Sequence, residues 1–215
     1  MIGLFGGTFD PIHYGHLRAA LEVQEIFELT EVRFIPSATP PHRTQPAVDA
    51  QLRRKMVELA IQELASFICD TRELDRTGYS YMVDTLASLR QDFPQQPLVL
   101  FIGVDAFNHL STWHEWQRLF DFAHIVVMTR PRFQLQKLDD FLTAHTTDNK
   151  DELANTLAGQ LYFQTITQLD ISATAIRQLI KQNRNPKFLL PNRVIDFITQ
   201  HQLYQQEIEC TQKNY

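Results

Sequence analysis

An eleven-residue run near the start of the chain, Gly6-Gly7-Thr8-Phe9-Asp10-Pro11-Ile12-His13-Tyr14-Gly15-His16, joins two patterns that demand different backbone conformations. Before it, Ile2-Gly3-Leu4-Phe5 reads as a short buried strand. After it, from His13 to Glu28, apolar residues at Leu17, Ala20, Leu21 and Phe27 follow helical spacing. The run therefore sits on a strand–loop–helix junction. Gly6 and Gly7 let the backbone approach a ligand closely, and a helix N-terminus offers unpaired N–H groups with partial positive charge. His13 and His16, one turn apart, add two imidazoles to the same place, a combination suited to gripping a polyphosphate.

The rest of the chain repeats the strand–helix alternation. Strands are expected at 31–36, 67–74, 98–102, 124–128 and 161–166, and helices at 49–65, 80–90, 172–182 and 191–204. Residues 37–46 form a proline-rich loop, 107–122 are helical or turn-rich, and 130–159 are the least patterned, suggesting a long, variable loop with a surface helix. Alternation of this kind implies right-handed crossovers and a parallel sheet with helices on both faces. The expected fold is thus α/β, a Rossmann-like doubly wound parallel sheet with a small C-terminal helical segment. At 215 residues the chain can bury one sizeable core, read as a single domain over 1–204 followed by a polar tail at 205–215.

A net charge of −5 gives no general nucleic-acid footprint, so a phosphorylated ligand must be held by local groups. Nowhere do about eighteen apolar residues follow one another, and no basic stretch precedes the first apolar run, which leaves no membrane association and a cytoplasmic protein as the expectation. Cys69 and Cys210 lie far apart without disulfide or metal spacing.

The glycines spell neither a Walker loop, since no Gly-Lys-Ser/Thr follows, nor the G-x-G-x-x-G dinucleotide fingerprint. The H-x-x-H spacing is compatible with a metal, but a third ligand nearby is missing from the sequence, so none is assigned. Ser172 and Thr174 precede and enter a helix, where they serve either as caps or as hydroxyls offered to phosphate. Arg177, one turn on, is either a solvated surface residue or a planar fork for the same anion. Asp105 follows the apolar strand and Gly103, at the sheet edge where open α/β folds bind ligands, and could equally cap a helix beginning at Ala106. Asp10 before Pro11 is first a loop-shaping residue. Trp113 and Trp116 are core or rim residues unless a flat ligand needs a flat partner.

The eleven-residue run resembles the nucleotidylyltransferase superfamily signature at every specified position. Pro40-Pro41-His42-Arg43, Gly78 to Leu86, Phe101 to Asp105 with Trp113 and Trp116, Ile171 to Arg177, and Leu190-Pro191 to Tyr204 resemble the successive motifs of the bacterial nicotinate mononucleotide adenylyltransferase family. The resemblance runs from Gly3 to Tyr204. It implies ATP and nicotinate mononucleotide as substrates, with deamido-NAD and pyrophosphate as products and Mg2+ travelling with ATP. It also implies that Gly6, Gly7, Thr8, Phe9, His13, His16, Gly103, Asp105, Ile171, Ser172, Thr174 and Arg177 bind ATP, with His13, His16 and Arg177 acting in catalysis. Trp113, Thr85, His42, Arg43 and His114 are implied around the acceptor. Three positions depart from the family pattern: Met82 for a frequent threonine, Ala173 for a serine, and Arg43 for a frequent lysine. Two other readings stand beside this one. The first is a different adenylyl or cytidylyl transferase, such as the phosphopantetheine enzyme, and the second is a nucleotide-binding regulatory module without catalysis.

Overall fold

The computed structural model describes residues 1–39, 46–131, 133, 137–167 and 169–205. Six strands form one sheet, β1 (Ile2–Gly7), β2 (Glu31–Pro36), β3 (Phe67–Cys69), β4 (Leu98–Gly103), β5 (His124–Thr129) and β6 (Leu161–Thr165). They lie in the order β3-β2-β1-β4-β5-β6, and every neighbouring pair is parallel. This is the doubly wound, Rossmann-like order, in which the winding reverses between β1 and β4.

The period-two alternation of the strands separates two cores. Phe5, Val32, Phe34, Val99, Phe101, Val126 and Met128 point to one face, where α1 (Tyr14–Ile26), α2 (Ala50–Ile61), α8 (Ala173–Lys181) and α9 (Asn192–Gln200) bury their apolar stripes. Ile2, Leu4, Leu98, Leu100, Ile102, Ile125 and Val127 point to the other, against α3 (Met82–Asp92), α4 (Val104–Phe107) and α5 (Leu119–Phe122). With both faces covered, β4 from Leu98 to Ile102 is buried throughout, which is why its sequence is a continuous apolar run. Each such side chain contributes about 1.5–3 kcal/mol.

Several boundaries differ from the sequence expectation. β3 stops at Cys69 because Asp70 turns its carboxylate to Arg33 and Arg72, and a turn on Thr71 follows. α3 starts at Met82, since the Ser80 hydroxyl is committed to the backbone N–H groups of Ala38 and Thr39. α9 ends at Gln200 rather than Tyr204. Gln202 and Tyr204 take left-handed backbone angles, φ 52° and 61°, that return the Tyr204 hydroxyl to Asp10. The weakly patterned stretch holds two short helices, α6 (Asp140–His145) and α7 (Asp151–Asn155), instead of one.

Candidate active site

The sheet opens at its switch point. β1 and β4 pair through Leu4↔Leu100 and then stop, whereas β1–β2 pairing continues to Gly7↔Pro36 and β4–β5 pairing to Gly103↔Met128. The C-terminal ends of β1 and β4 therefore splay apart, leaving a crevice edged by Gly6 and Gly7 on one strand and Gly103 on the other. A Cβ added at Gly103 would meet nothing within 4 Å, so its place faces open space. One at Gly7 would lie 2.9 Å from the Phe9 ring, and one at Gly6 would lie 2.6 Å from Met82 Cε. Phe9 has φ 50° and turns the chain out of the strand with its ring buried.

His13 is the N-cap of α1, and its ring stacks on His16 at 3.7 Å between centroids. The glycine between them is a steric requirement, because a Cβ at Gly15 would sit 2.9 Å from His13 Nδ1. His16 Nδ1 accepts the backbone N–H of His13 at 3.3 Å. An accepting Nδ1 carries no proton, so the ring proton of neutral His16 resides on Nε2. Phe5 and Phe9 meet the His16 ring edge-on and hold its orientation. Burial depresses the His13 pKa to about 4, so it is a neutral donor at physiological pH, and its Nδ1 is buried with no hydrogen-bond partner among the described residues. Two imidazolium rings stacked this closely would repel each other. Neutral rings can each present one N–H.

The start of α8 backs onto this turn. Ile171 O lies 3.4 Å from the Cβ position of Gly15, and Arg177 Nη1 donates to Asp10 O at 2.6 Å while its Nη2 reaches Thr174 Oγ1 at 3.2 Å. Ser172 caps the helix by accepting from Ala175 N–H, the first of its two expected roles. That bond uses the Ser172 oxygen and leaves the hydroxyl hydrogen to donate. Asp105 is exposed and sits inside α4, which begins at Val104, so the capping alternative at Ala106 does not hold.

On the other side of the crevice Met82 begins α3 against Gly6, and the half-buried Tyr81 ring lies 4.3 Å from the exposed His114 ring. Trp113 is half-buried beside them, whereas Trp116 packs on Phe141 of α6. Thr85 is turned fully inward and donates to Glu73 at 2.7 Å. His42 and Arg43 lie outside the described residues, as does Cys210; Cys69 is half-buried, and burial pushes its thiol pKa up.

Sequence reasoning missed four residues that build this site. Arg53 is buried to 1 % exposure and donates to the carbonyls of Thr8, Ser37 and Val48. The Asp10 carboxylate accepts both Ala47 N–H and the Tyr204 hydroxyl, which makes it the loop-shaping residue expected, but Tyr204 as its partner was not foreseen. Glu73 and Tyr81 complete the four. The available signal for Arg53 was its place on the apolar stripe of α2 with Met56, Val57 and Ala60. Among the described residues no group of three or more His, Cys, Asp and Glu side chains could hold a metal, and no helix is long and apolar enough to cross a membrane.

Residues 4–179 match the model of the family described as cytidylyltransferase-like. The chain is 48% identical over 208 residues to a "Probable nicotinate-nucleotide adenylyltransferase" of Methylococcus capsulatus, covering 95% of this chain and 99% of that protein. It is 42% identical over 207 residues to one of the same description from Aeromonas salmonicida, covering 95% and 97%. Among solved structures, the Plasmodium falciparum nicotinic acid mononucleotide adenylyltransferase complexed with NaAD superposes with a TM-score of 0.71 at 17% identity, covering 94% of this chain and 96% of that one. At that identity the structural likeness is one of fold.

Proposed function

The chain belongs to the nicotinate-nucleotide adenylyltransferase family of cytidylyltransferase-like proteins, and from that premise we propose that it transfers the adenylyl group of ATP to nicotinate mononucleotide, giving deamido-NAD and pyrophosphate in cytoplasmic NAD biosynthesis. The observation that carries this reading is the stacked His13–His16 pair at the splayed ends of β1 and β4, with Arg177 anchored on the same turn.

The acceptor phosphate is a nucleophile without help. Its second pKa is about 6, so it is largely a dianion at neutral pH, and no general base is required. An acceptor oxygen attacks the α-phosphorus of ATP, the bond from that phosphorus to the bridging α–β oxygen breaks, and pyrophosphate leaves with the electron pair. The work left to the protein is alignment and stabilisation of charge on the phosphates. His16 Nε2–H donates to the phosphate oxygens where charge accumulates, and His13 supports it. Arg177 and the hydroxyls at the start of α8 hold the outer phosphates. Mg2+ enters as part of the ATP substrate, carried by phosphate oxygens and water. The acceptor lies toward Tyr81, Trp113 and His114, and by the family resemblance His42 and Arg43 also belong to its site.

Replacing His16 by Ala tests the assignment. Loss of one preorganised donor lowers turnover on the order of 100- to 1,000-fold, with the melting temperature retained. Near-normal turnover would remove His16 from the mechanism. Pyrophosphate release measured with ATP against a panel of mononucleotides tests the acceptor, and preference for the amide over the acid, or for a non-pyridine acceptor, would reassign the reaction.

A further inference from the structure

Glu73 is a carboxylate that the proposed chemistry does not use, yet it is 3% exposed and lies between two parts of the acceptor side. Burying a carboxylate is costly unless several donors compensate it, so such a group marks a network with a purpose. Burial raises its pKa, and hydrogen bonding from Thr85 and Ser80 together with the Arg76 charge draws it back.

The network has two arms. In one, the Thr85 hydroxyl donates to Glu73 Oε1 at 2.7 Å, which commits its single hydrogen, and Arg76 Nη2 spans Thr85 Oγ1 and Tyr81 O at 3.3 and 3.4 Å. This arm fixes the first turn of α3, with Tyr81 against His114 and Met82 against Gly6. In the other, the Ser80 oxygen accepts the N–H groups of Ala38 and Thr39 at 3.0 and 3.2 Å, and Ser80 N–H returns a bond to Thr39 O. That arm ties the residue before Tyr81 to the backbone at Ala38 and Thr39, just beyond β2.

We infer that Glu73 is a positioning residue for the mononucleotide acceptor, holding the aromatic wall at Tyr81 in place through Thr85 and the first turn of α3. The inference rests on the reading given under Proposed function. It also assigns Thr85 its part: a buried hydroxyl whose hydrogen is committed to Glu73 holds α3 in place and does not itself meet the acceptor. Because ATP is held on the His13–His16 and Arg177 side, the effect of losing Glu73 falls on one substrate.

Steady-state kinetics of Glu73→Gln, Thr85→Val and the double variant, each with ATP and with nicotinate mononucleotide varied, tests this. Gln keeps the shape and one accepting oxygen but removes the charge. The acceptor KM rises on the order of tenfold, the ATP KM stays within about twofold, and the double variant is no worse than the poorer single one, because Thr85 acts through Glu73. Equal rises in both KM values overturn the inference. So do additive effects in the double variant, or a lowered melting temperature with kinetics intact, which is a purely structural role. Thr85→Val carries the same comparison if Glu73→Gln does not fold. A wild-type protein inactive with nicotinate mononucleotide overturns the functional reading and the inference with it, whereas an active wild type with unshifted variants overturns the inference alone.

Discussion

Arg53 and Arg177 grip the same turn two residues apart, and they differ in what remains of each guanidinium afterwards. Arg53 Nη1 donates to Thr8 O at 2.6 Å, its Nε to Val48 O at 3.1 Å, and its Nη2 to Ser37 O at 2.7 Å, with the arginine itself buried. Arg177 donates to Asp10 O and to Thr174 Oγ1 and stays half-buried at the crevice. An arginine has five N–H donors. Arg53 spends its fork on backbone carbonyls of three segments, so it is part of the scaffold. Arg177 spends two bonds on aiming itself, which leaves donors for an anion. The same residue type is thus consumed in holding the loop from below at Arg53 and keeps donors to spare at the loop's edge at Arg177.

The comparison breaks most severely at Arg53. Replacing it by Met keeps the apolar stem but leaves the carbonyls of Thr8, Ser37 and Val48 without their donor, at about 1–3 kcal/mol for each group that stays unpaired. A net loss of about 3–5 kcal/mol is expected in denaturant unfolding, allowing for partial relaxation. Arg53→Lys recovers only a fraction, because an ammonium lacks the fork. A midpoint within about 1 kcal/mol of the parent would mean that the turn is held by other contacts.

The two arginines also mark how far the sequence could be read. The contact of Arg177 with Thr174 was legible because the two lie one helical turn apart, whereas a phosphate role for Arg177 came from the family resemblance. Arg53 was not, because its partners are carbonyls 45 and 16 positions away, and a carbonyl has no side-chain signature. The sheet was legible for a related reason: continuous apolar runs such as Leu98 to Ile102 can occur only where both faces are covered. Glu73 fell inside the segment expected as a strand to residue 74, so its turn, and with it the route to Thr85 and Ser80, was out of reach. Tyr204 was expected on a helix, and only the left-handed angles after α9 bring it to Asp10.

His13 lies on the turn that both arginines hold, and it sharpens the contrast because burial there carries a titratable group far from its ordinary range. Its pKa is about 4 in the folded chain, lowered by burial, against about 6.5 when unfolded. Between those values the unfolded chain binds a proton that the folded chain refuses. Stability from this group is therefore complete above pH 6.5 and is lost as pH falls toward 4, by on the order of 3 kcal/mol in all. Urea midpoints of wild type and His13→Gln at pH 7 and pH 5 measure it. The acid-induced loss should shrink in the variant by about 2 kcal/mol, and an unchanged loss would place the acid sensitivity elsewhere.

The mildest break comes at Arg177, and it separates the two arginines by what they change. Truncation to Ala removes one bond to Asp10 O and one to Thr174 at a half-buried position, where lost packing and hydrogen bonding cost about 1 kcal/mol of stability. The turn itself stays in place because Arg53 still holds Thr8 O and the Asp10 carboxylate still takes Ala47 N–H and the Tyr204 hydroxyl. The loss should therefore appear in ATP use: a rise in ATP KM of roughly 10- to 100-fold, equivalent to about 1.4–2.8 kcal/mol of phosphate binding, with the acceptor KM little changed. Arg177→Lys keeps the charge without the fork and should fall between the two. If Arg177→Ala instead melted early with ATP KM unchanged, Arg177 would join Arg53 as scaffold, and the outer phosphates would rest on the hydroxyls and N–H groups of the α8 start alone.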